Sequence, residues 1–254
     1  MMRRALLVSS VLLATAIIPA VAQKEPGPSL LEAGRRAVGG TAAGGVRSLV
    51  VQGRRRVLIG STGKLSEPRP LEIRILLPDR YLRITVDGPS ESRFGFAGTE
   101  LLNSIRALKP GDSFGATWGP EQIGIERAWF ARFLLGMLSH TTAVAHLKVH
   151  PSAATSVEVT GDDGFSAFVD FDESTNTPLR VRHVGNVHFP VPGSTMPPPP
   201  EKAEVIWTFQ DRRLVGGLRL PHRVTRMARD VTLEEMVFEK FEINPPLEAA
   251  QFRN

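Results

Sequence analysis

The sequence predicts a mostly β fold with a small helical complement, and three observations carry that prediction. Apolar residues alternate with period two over several short segments, tight-turn signatures separate those segments, and only two stretches carry the helical period. Strands that follow one another through tight turns pair antiparallel, so most of the sheet is expected to be antiparallel.

The elements follow in chain order. Ser29 and Glu32 form a capping box, Leu30, Leu31 and Ala33 to Val38 continue as a helix, and Gly39-Gly40 ends it. Leu71, Ile73, Ile75 and Leu77 then alternate with Glu72 and Arg74. Pro78-Asp79-Arg80 turns the chain into Leu82, Ile84 and Val86, which alternate with Tyr81, Arg83 and Thr85. That predicts a hairpin with one wet face. Pro120 to Leu138 changes rhythm: Ile125, Trp129, Phe130, Phe133, Leu134 and Met137 share one helical face, with Glu126, Arg127 and Arg132 elsewhere, so a helix is expected to pack on the sheet.

A second hairpin is read from Val157 and Val159, the Asp163-Gly164 turn, and Phe165, Ala167, Val169 and Phe171. Val205, Trp207 and Phe209 alternate with polar neighbours, and Leu218 to Arg226 and Leu233 to Ile243 supply further strands. Between the hairpin and these strands, Val191 to Glu201 has no period, and Pro197 to Pro200 offer no backbone donor to a ladder. An extended, exposed loop is expected there.

The N-terminus reads as an export signal. Arg3 and Arg4 precede an apolar run from Ala5 to Pro19, and Ala20-Val21-Ala22 supplies the small residues of a cleavage site before Gln23. Residues 1–22 are therefore expected to be removed, leaving a single periplasmic domain over 23–254 with no transmembrane segment after cleavage. With no cysteine in the chain, disulfides, thiolate metal sites, a cysteine nucleophile and a lipid anchor on cysteine are all excluded. The formal charge is +5, of which Arg3 and Arg4 contribute two. So small and dispersed an excess does not imply nucleic-acid binding.

Candidate chemistry is sparse. Gly111-Asp112-Ser113-Phe114-Gly115 has the spacing of a hydrolase nucleophile elbow, yet Pro110 precedes it, Gly119-Pro120 follows, and no alternation of β and α segments surrounds it. A glycine-rich turn is the stronger reading. His146 and His150 fall in an extended stretch, where four residues span about 13 Å, too far for one metal ion. His183 and His188 are further apart, and neither pair predicts a metal site. Asp162, Asp163, Asp170 and Asp172 flank tight turns, where aspartate bonds to its own backbone. Arg54-Arg55-Arg56 reads as a solvated strand end, and Ser61-Thr62-Gly63-Lys64 as a turn lacking the upstream glycine of a phosphate loop. No catalytic residue, metal or cofactor is expected, and the chain is read as no enzyme.

Several short signatures together resemble the outer-membrane lipoprotein carrier (LolA-like) superfamily. These are a helix ending in Gly39-Gly40, a strand with Ser48-Leu49 and Gly53, the Pro78-Asp79-Arg80 turn, and Asp172 to Pro178 before Leu179-Arg180. The end of the chain is similar to sorting-protein-like members in Gly216-Gly217-Leu218-Arg219-Leu220-Pro221-His222-Arg223 and in Asn244-Pro245-Pro246-Leu247 with Phe252. The resemblance implies an incompletely closed antiparallel β-barrel capped by helices, a carrier or chaperone for acyl chains or another apolar ligand, and a lid role for the 120–138 helix. Burial of each methylene is worth about 0.8 kcal/mol, so such a carrier needs no catalytic group.

On that reading Leu49, Val51, Ile73, Ile75, Phe165, Val169, Trp207 and Phe209 face an apolar cavity, covered by Trp129, Phe130, Phe133 and Met137. Ordinary core packing is the competing reading for each of them. The expected partners are lipid or lipoprotein acyl chains, with envelope proteins besides, and the expected state is a monomer. A second reading is a non-enzymatic envelope interaction or sensor domain on the same fold, with Pro192 to Pro200 as its contact site. A third is a serine hydrolase acting through Ser113.

Overall fold

The computed structural model describes residues 26–59, 62–87, 90–106, 121–140, 147–162, 164–189, 191, 193 and 199–253. The expected signal segment, Gly111 to Gly115, His146, Asp163 and most of Pro192 to Pro200 lie outside these residues.

The chain opens with helices α1 (Pro26–Val38) and α2 (Thr41–Gly44). Strands β1 (Ser48–Ile59), β2 (Lys64–Leu65), β3 (Arg69–Leu76), β4 (Arg80–Asp87), β5 (Ser90–Ala97) and β6 (Glu100–Arg106) follow, and then helix α3 (Glu121–Met137). The second half comprises β7 (Lys148–Ala153), β8 (Ser156–Thr160), β9 (Ser166–Phe171), β10 (Pro178–Val187), β11 (Glu201–Val215), β12 (Leu218–Ala228) and β13 (Val231–Ile243). A 3-10 turn at Ala249–Gln251 precedes the C-terminus.

All thirteen strands form one antiparallel sheet in the order β6-β5-β4-β3-β1-β13-β12-β11-β10-β9-β8-β7, with β2 paired to β1. The order is a meander from β6 to β1 and another from β13 to β7, joined where the first strand pairs with the last. Leu49 lies opposite Ile243 and Val51 opposite Phe241 in that junction. The two ends of the sheet, β6 and β7, do not pair with each other among the described residues, so the barrel stays open. At Gly53 the β1 register shifts, and a Cβ there would stand 2.1 Å from the Val237 carbonyl oxygen. Only glycine permits β1 and β13 to approach this closely at the bulge.

Register defines the concave face. Val51 pairs with Ile73, Ile73 with Arg83, and Arg83 with Phe94, while Leu49, Ile75, Tyr81 and Phe96 form the adjacent row. On the other half Val169, Val181, Trp207, Arg226 and Glu234 line up across five strands. Helix α3 lies on this face, and α1 packs on β7, β8 and β12.

Four expectations are corrected. The first helix begins at Pro26, so Ser29 lies within it and not at its cap; prolines are tolerated there because the first N–H groups of a helix have no intrahelical partner. Tyr81, Arg83 and Thr85 face the interior and not water, and Leu82 and Ile84 occupy the convex face. In α3, Glu126 and Arg132 are buried and Ile125 is 54% exposed. Strands β5 and β6 were not anticipated at all.

Leu82 and Ile84 stay dry because the C-terminal tail returns over them. Phe252 is fully buried against Leu82, Ile84 and Leu102, with Leu247 beside it. The tail is pinned where it leaves β13: the Asn244 Oδ1 atom accepts from the Arg47 and Ser48 amides at 2.7 and 3.3 Å, and the Ser48 hydroxyl donates to the Pro245 carbonyl at 2.7 Å.

Candidate functional site: the interface of helix α3 with the concave sheet

Helix α3 is seated through aromatic side chains. Trp129 meets Trp207 edge-on at 5.2 Å between ring centroids and stacks with Phe133 of its own helix at 5.7 Å. Phe133 meets Phe238 at 6.0 Å, and Phe130 meets Phe96 at 5.3 Å and Tyr81 at 5.6 Å. Near the helix end Gly136 sits over the Phe209 ring. This spacing follows from the helical period: positions 126, 129, 130 and 133 recur three and four apart on one stripe.

The predicted cavity residues therefore gather around one helix. Leu49, Val51, Ile73 and Ile75 share one buried cluster with it from the β1–β3 half, Val169, Trp207 and Phe209 from the β9–β11 half, and Trp129, Phe130, Phe133 and Met137 lie on α3 itself. All of these are buried. Phe165 is half-buried and packs at the edge of the same apolar cluster.

Charges are set into this apolar contact. Arg83 Nη2 donates to Glu126 Oε1 at 3.3 Å, and the Arg83 guanidinium lies 5.2 Å from the Trp129 ring centroid. Burial opposes the Arg83 charge, but Glu126, Tyr81 and Glu234 together outweigh it and raise the guanidinium pKa. Glu234, from β13, is ion-paired with Arg55 and, at 3.3 Å, with Arg226. Its burial favours the neutral acid, yet the charges of Arg55, Arg226 and Arg83 prevail and hold its pKa at about 2. Arg132 contacts His183 Nε2 and donates from Nε to the Ala128 carbonyl at 2.6 Å. Burial and the nearby Arg132 charge lower the His183 pKa to about 3, so at neutral pH the ring is uncharged and its Nε2 accepts from Arg132.

Among the described residues no backbone-to-backbone hydrogen bond joins α3 to the sheet. Side chains make the polar ties: Arg83 to Glu126, Arg132 to His183, Arg127 to the Gly98 carbonyl at 2.5 Å, and Arg212 to the Gly136 carbonyl at 3.1 Å. Arg212 also satisfies an orphan carbonyl of the last helical turn and places a cation at the negative end of the helix dipole.

The remaining candidates lie elsewhere. His150 approaches Thr160 at 3.4 Å on the outer strands, and no group of three metal-ligating side chains gathers among the described residues. Asp172 accepts from the amides and hydroxyls of Ser174 and Thr175, as a turn aspartate does. Asp170 departs from the turn expectation: it is a buried strand residue that accepts from Ser156, Arg180 and Arg182 at 2.6 to 2.7 Å. Of the arginine triplet, Arg54 and Arg56 pair on the surface with Glu239 and Glu235, whereas Arg55 turns inward to Glu234. The sequence signal for this inner set was the alternation itself, which places Arg55 on the side of Gly53 and Val57, and Arg83 on the side of Tyr81.

No protein-family model matches the sequence, and no curated protein matches it either. Its structure does have likenesses. A LolA superfamily protein from Nitrosomonas europaea superposes with a TM-score of 0.53 at 8% identity, over 89% of this chain and 97% of that one. The chain has a LolA-like fold. A DUF1329 family protein from Desulfovibrio piger is similar over 91% of this chain and 98% of its own, at a TM-score of 0.49 and 10% identity. In the LolA-like sheet described here the concave face is filled by α3, and among the described residues no helix is long and apolar enough to cross a membrane.

Proposed function

We propose that this chain is an exported, monomeric carrier that holds an acyl chain, or another ligand of the same apolar character, between α3 and the concave sheet. The observation that carries this reading is the nature of the α3 contact: an aromatic interface with no backbone ladder across it among the described residues. A ligand can replace the helix as cover for Trp207, Phe209 and Phe238 while every strand keeps its pairing. The sheet supplies the rigid wall, and the helix supplies a lid whose inner surface is itself ligand-like. A chain of about 14 methylenes transferred to such a surface gains on the order of 10 kcal/mol, which works against the cost of displacing the helix without any catalytic group. The LolA-like fold supports the same role, since the carrier function is what the sequence resemblance implied.

The test is direct. Residues 23–254, secreted through their own leader and purified without detergent, are extracted and examined by mass spectrometry, and the delipidated protein is then offered a fluorescent fatty acid. Co-purified lipid or saturable uptake is the expected result. A protein that is recovered empty and takes up nothing is not a carrier.

A further inference from the structure

The concave interior holds more positive charge than its apolar role requires. Arg55, Arg83, Arg132 and Arg226 converge there against two carboxylates, Glu126 and Glu234, and His183 is held neutral. Arg132 is 8% exposed, and its guanidinium contacts a backbone carbonyl and an imidazole; the Glu126 carboxylate favours its charge through space, but burial and the nearby Arg226 charge outweigh that and lower its pKa. Burial of uncompensated cations costs stability, so a surplus of this kind is a structural expense that a ligand of opposite sign would relieve.

Hydrogen-bonding capacity has the same sense. Arg83 Nε, Arg226 Nε, the Tyr81 hydroxyl and Trp207 Nε1 are buried with no hydrogen-bond partner, and all four can donate. Arg226 is ion-paired with Glu234, but its Nε is not aligned to donate to that carboxylate. Two of the cations approach the indole of Trp207, Arg132 at 5.9 Å and Arg226 at 5.8 Å from its ring centroid. Buried groups of this kind are normally satisfied, and these four donors, set beside the Glu126 carboxylate, can be met by a ligand rich in acceptors.

We infer that the site takes an amphiphile with an anionic headgroup, a phosphate or a carboxylate, whose oxygens accept from the Arg83, Arg132 and Arg226 cluster while its acyl chain lies along the α3 aromatics. This rests on the carrier reading and adds the class of headgroup. The arrangement has a sensible polarity: the Arg55 and Arg226 side chains keep 23% and 34% exposure, whereas Trp207, Phe133 and Phe238 are dry. The head would thus sit toward water and the tail inward. Guanidinium groups suit this task because their donors form a fork that matches phosphate and carboxylate oxygens.

Delipidated protein is titrated with dodecyl phosphate, dodecanoate, dodecanol and inorganic phosphate, with tryptophan fluorescence as the readout. Both anionic amphiphiles are expected to bind at least about tenfold more tightly than dodecanol, the effect of one or more charge-assisted hydrogen bonds. Arg226→Gln, a substitution at a partly exposed side chain, and Arg132→Met each reduce that ratio toward one. Equal binding of dodecanol and the anions by the unsubstituted protein overturns the headgroup inference and leaves the carrier reading standing. Binding of none of the amphiphiles sinks the carrier reading and the inference with it. Inorganic phosphate binding as tightly as dodecyl phosphate shows a free-anion site and overturns the assignment to a lipid.

Discussion

Gly136 of α3 rests against the ring of Phe209 in β11, so close that a Cβ on the glycine would stand 1.8 Å from the ring Cζ and 1.9 Å from Cε2. No substituent fits there unless the helix or the ring moves. Alanine favours a helix over glycine by about 1 kcal/mol, and overpacking a core costs about 1–3 kcal/mol. Gly136→Ala is therefore expected to lower stability by about 1 kcal/mol despite the better helix former, and Gly136→Val by more. Urea unfolding followed by circular dichroism measures this. An unchanged or raised midpoint would show that α3 is not docked at this distance.

The pairing of Glu234 with Arg55 and Arg226 makes a second, independent prediction. Glu234→Ala leaves two guanidinium groups in the interior without their carboxylate, and breaking a buried pair from one side costs about 3–5 kcal/mol. Glu239→Ala, which removes only the exposed partner of Arg54, is expected to cost no more than about 1 kcal/mol. The contrast between two glutamates five residues apart on one strand is what the unfolding midpoints should show. Similar losses at both positions would mean that the inner pair carries no special weight.

Acid sensitivity follows from the same residues. Folding depresses the Glu234 pKa from 4.5 to about 2 and the His183 pKa from 6.5 to about 3. In both cases the unfolded chain binds the proton more readily, so both contributions to stability are complete above the unfolded value and are lost as pH falls through the folded one. Stability is expected to decline below pH 6.5, where the unfolded chain protonates His183 while the folded ring beside Arg132 stays neutral, and then more steeply below 4.5, where the unfolded chain also protonates Glu234. His183→Gln should flatten the upper part of that decline and leave the lower part. A profile of the substituted protein identical to the original would remove His183 from this account.

The strands that sequence alone revealed were those whose alternation is unbroken. Leu71 to Ile75, Val157 to Val159, Ala167 to Phe171 and Val205 to Phe209 each carry the alternation, and each lies in a strand of the structure. β5 was missed because Gly95 separates Phe94 from Phe96 and Glu91 and Arg93 dilute the pattern. In β4 the period was correct and the face was wrong, because Leu82 and Ile84 are covered by Phe252, which lies 170 and 168 positions later and which nothing local announces. The charged interior was concealed for the opposite reason. Glu126 falls on the stripe of Trp129, Phe130 and Phe133 at spacings of three, four and seven, but a carboxylate at such a position is read as surface unless its partner, here Arg83 on a distant strand, is already known.

That covering tail is the last feature to yield a test. Phe252 is fully buried, and it belongs to a segment held by the Asn244 and Ser48 hydrogen bonds and by Leu247, with a capping box between Glu248 and Gln251 inside the tail. Truncation of a fully buried phenylalanine to alanine costs about 3–5 kcal/mol where the surroundings cannot close the gap. Leu82 and Ile84 are convex-face residues, so water can enter once the ring is gone, and the loss should fall toward the lower end of that range. Asn244→Ala removes three hydrogen bonds, those with the Arg47 and Ser48 amides and the Gly45 carbonyl, at about 1 kcal/mol each, so its cost should be of similar size, but Phe252 can still find its place from the Pro245-Pro246 segment. Denaturant unfolding of the two variants measures the size of these effects, and hydrogen exchange at Leu82 and Ile84 tells them apart. If Phe252→Ala leaves exchange at those amides unchanged, the tail is an ornament on the outer face and the dryness of β4 must have another cause.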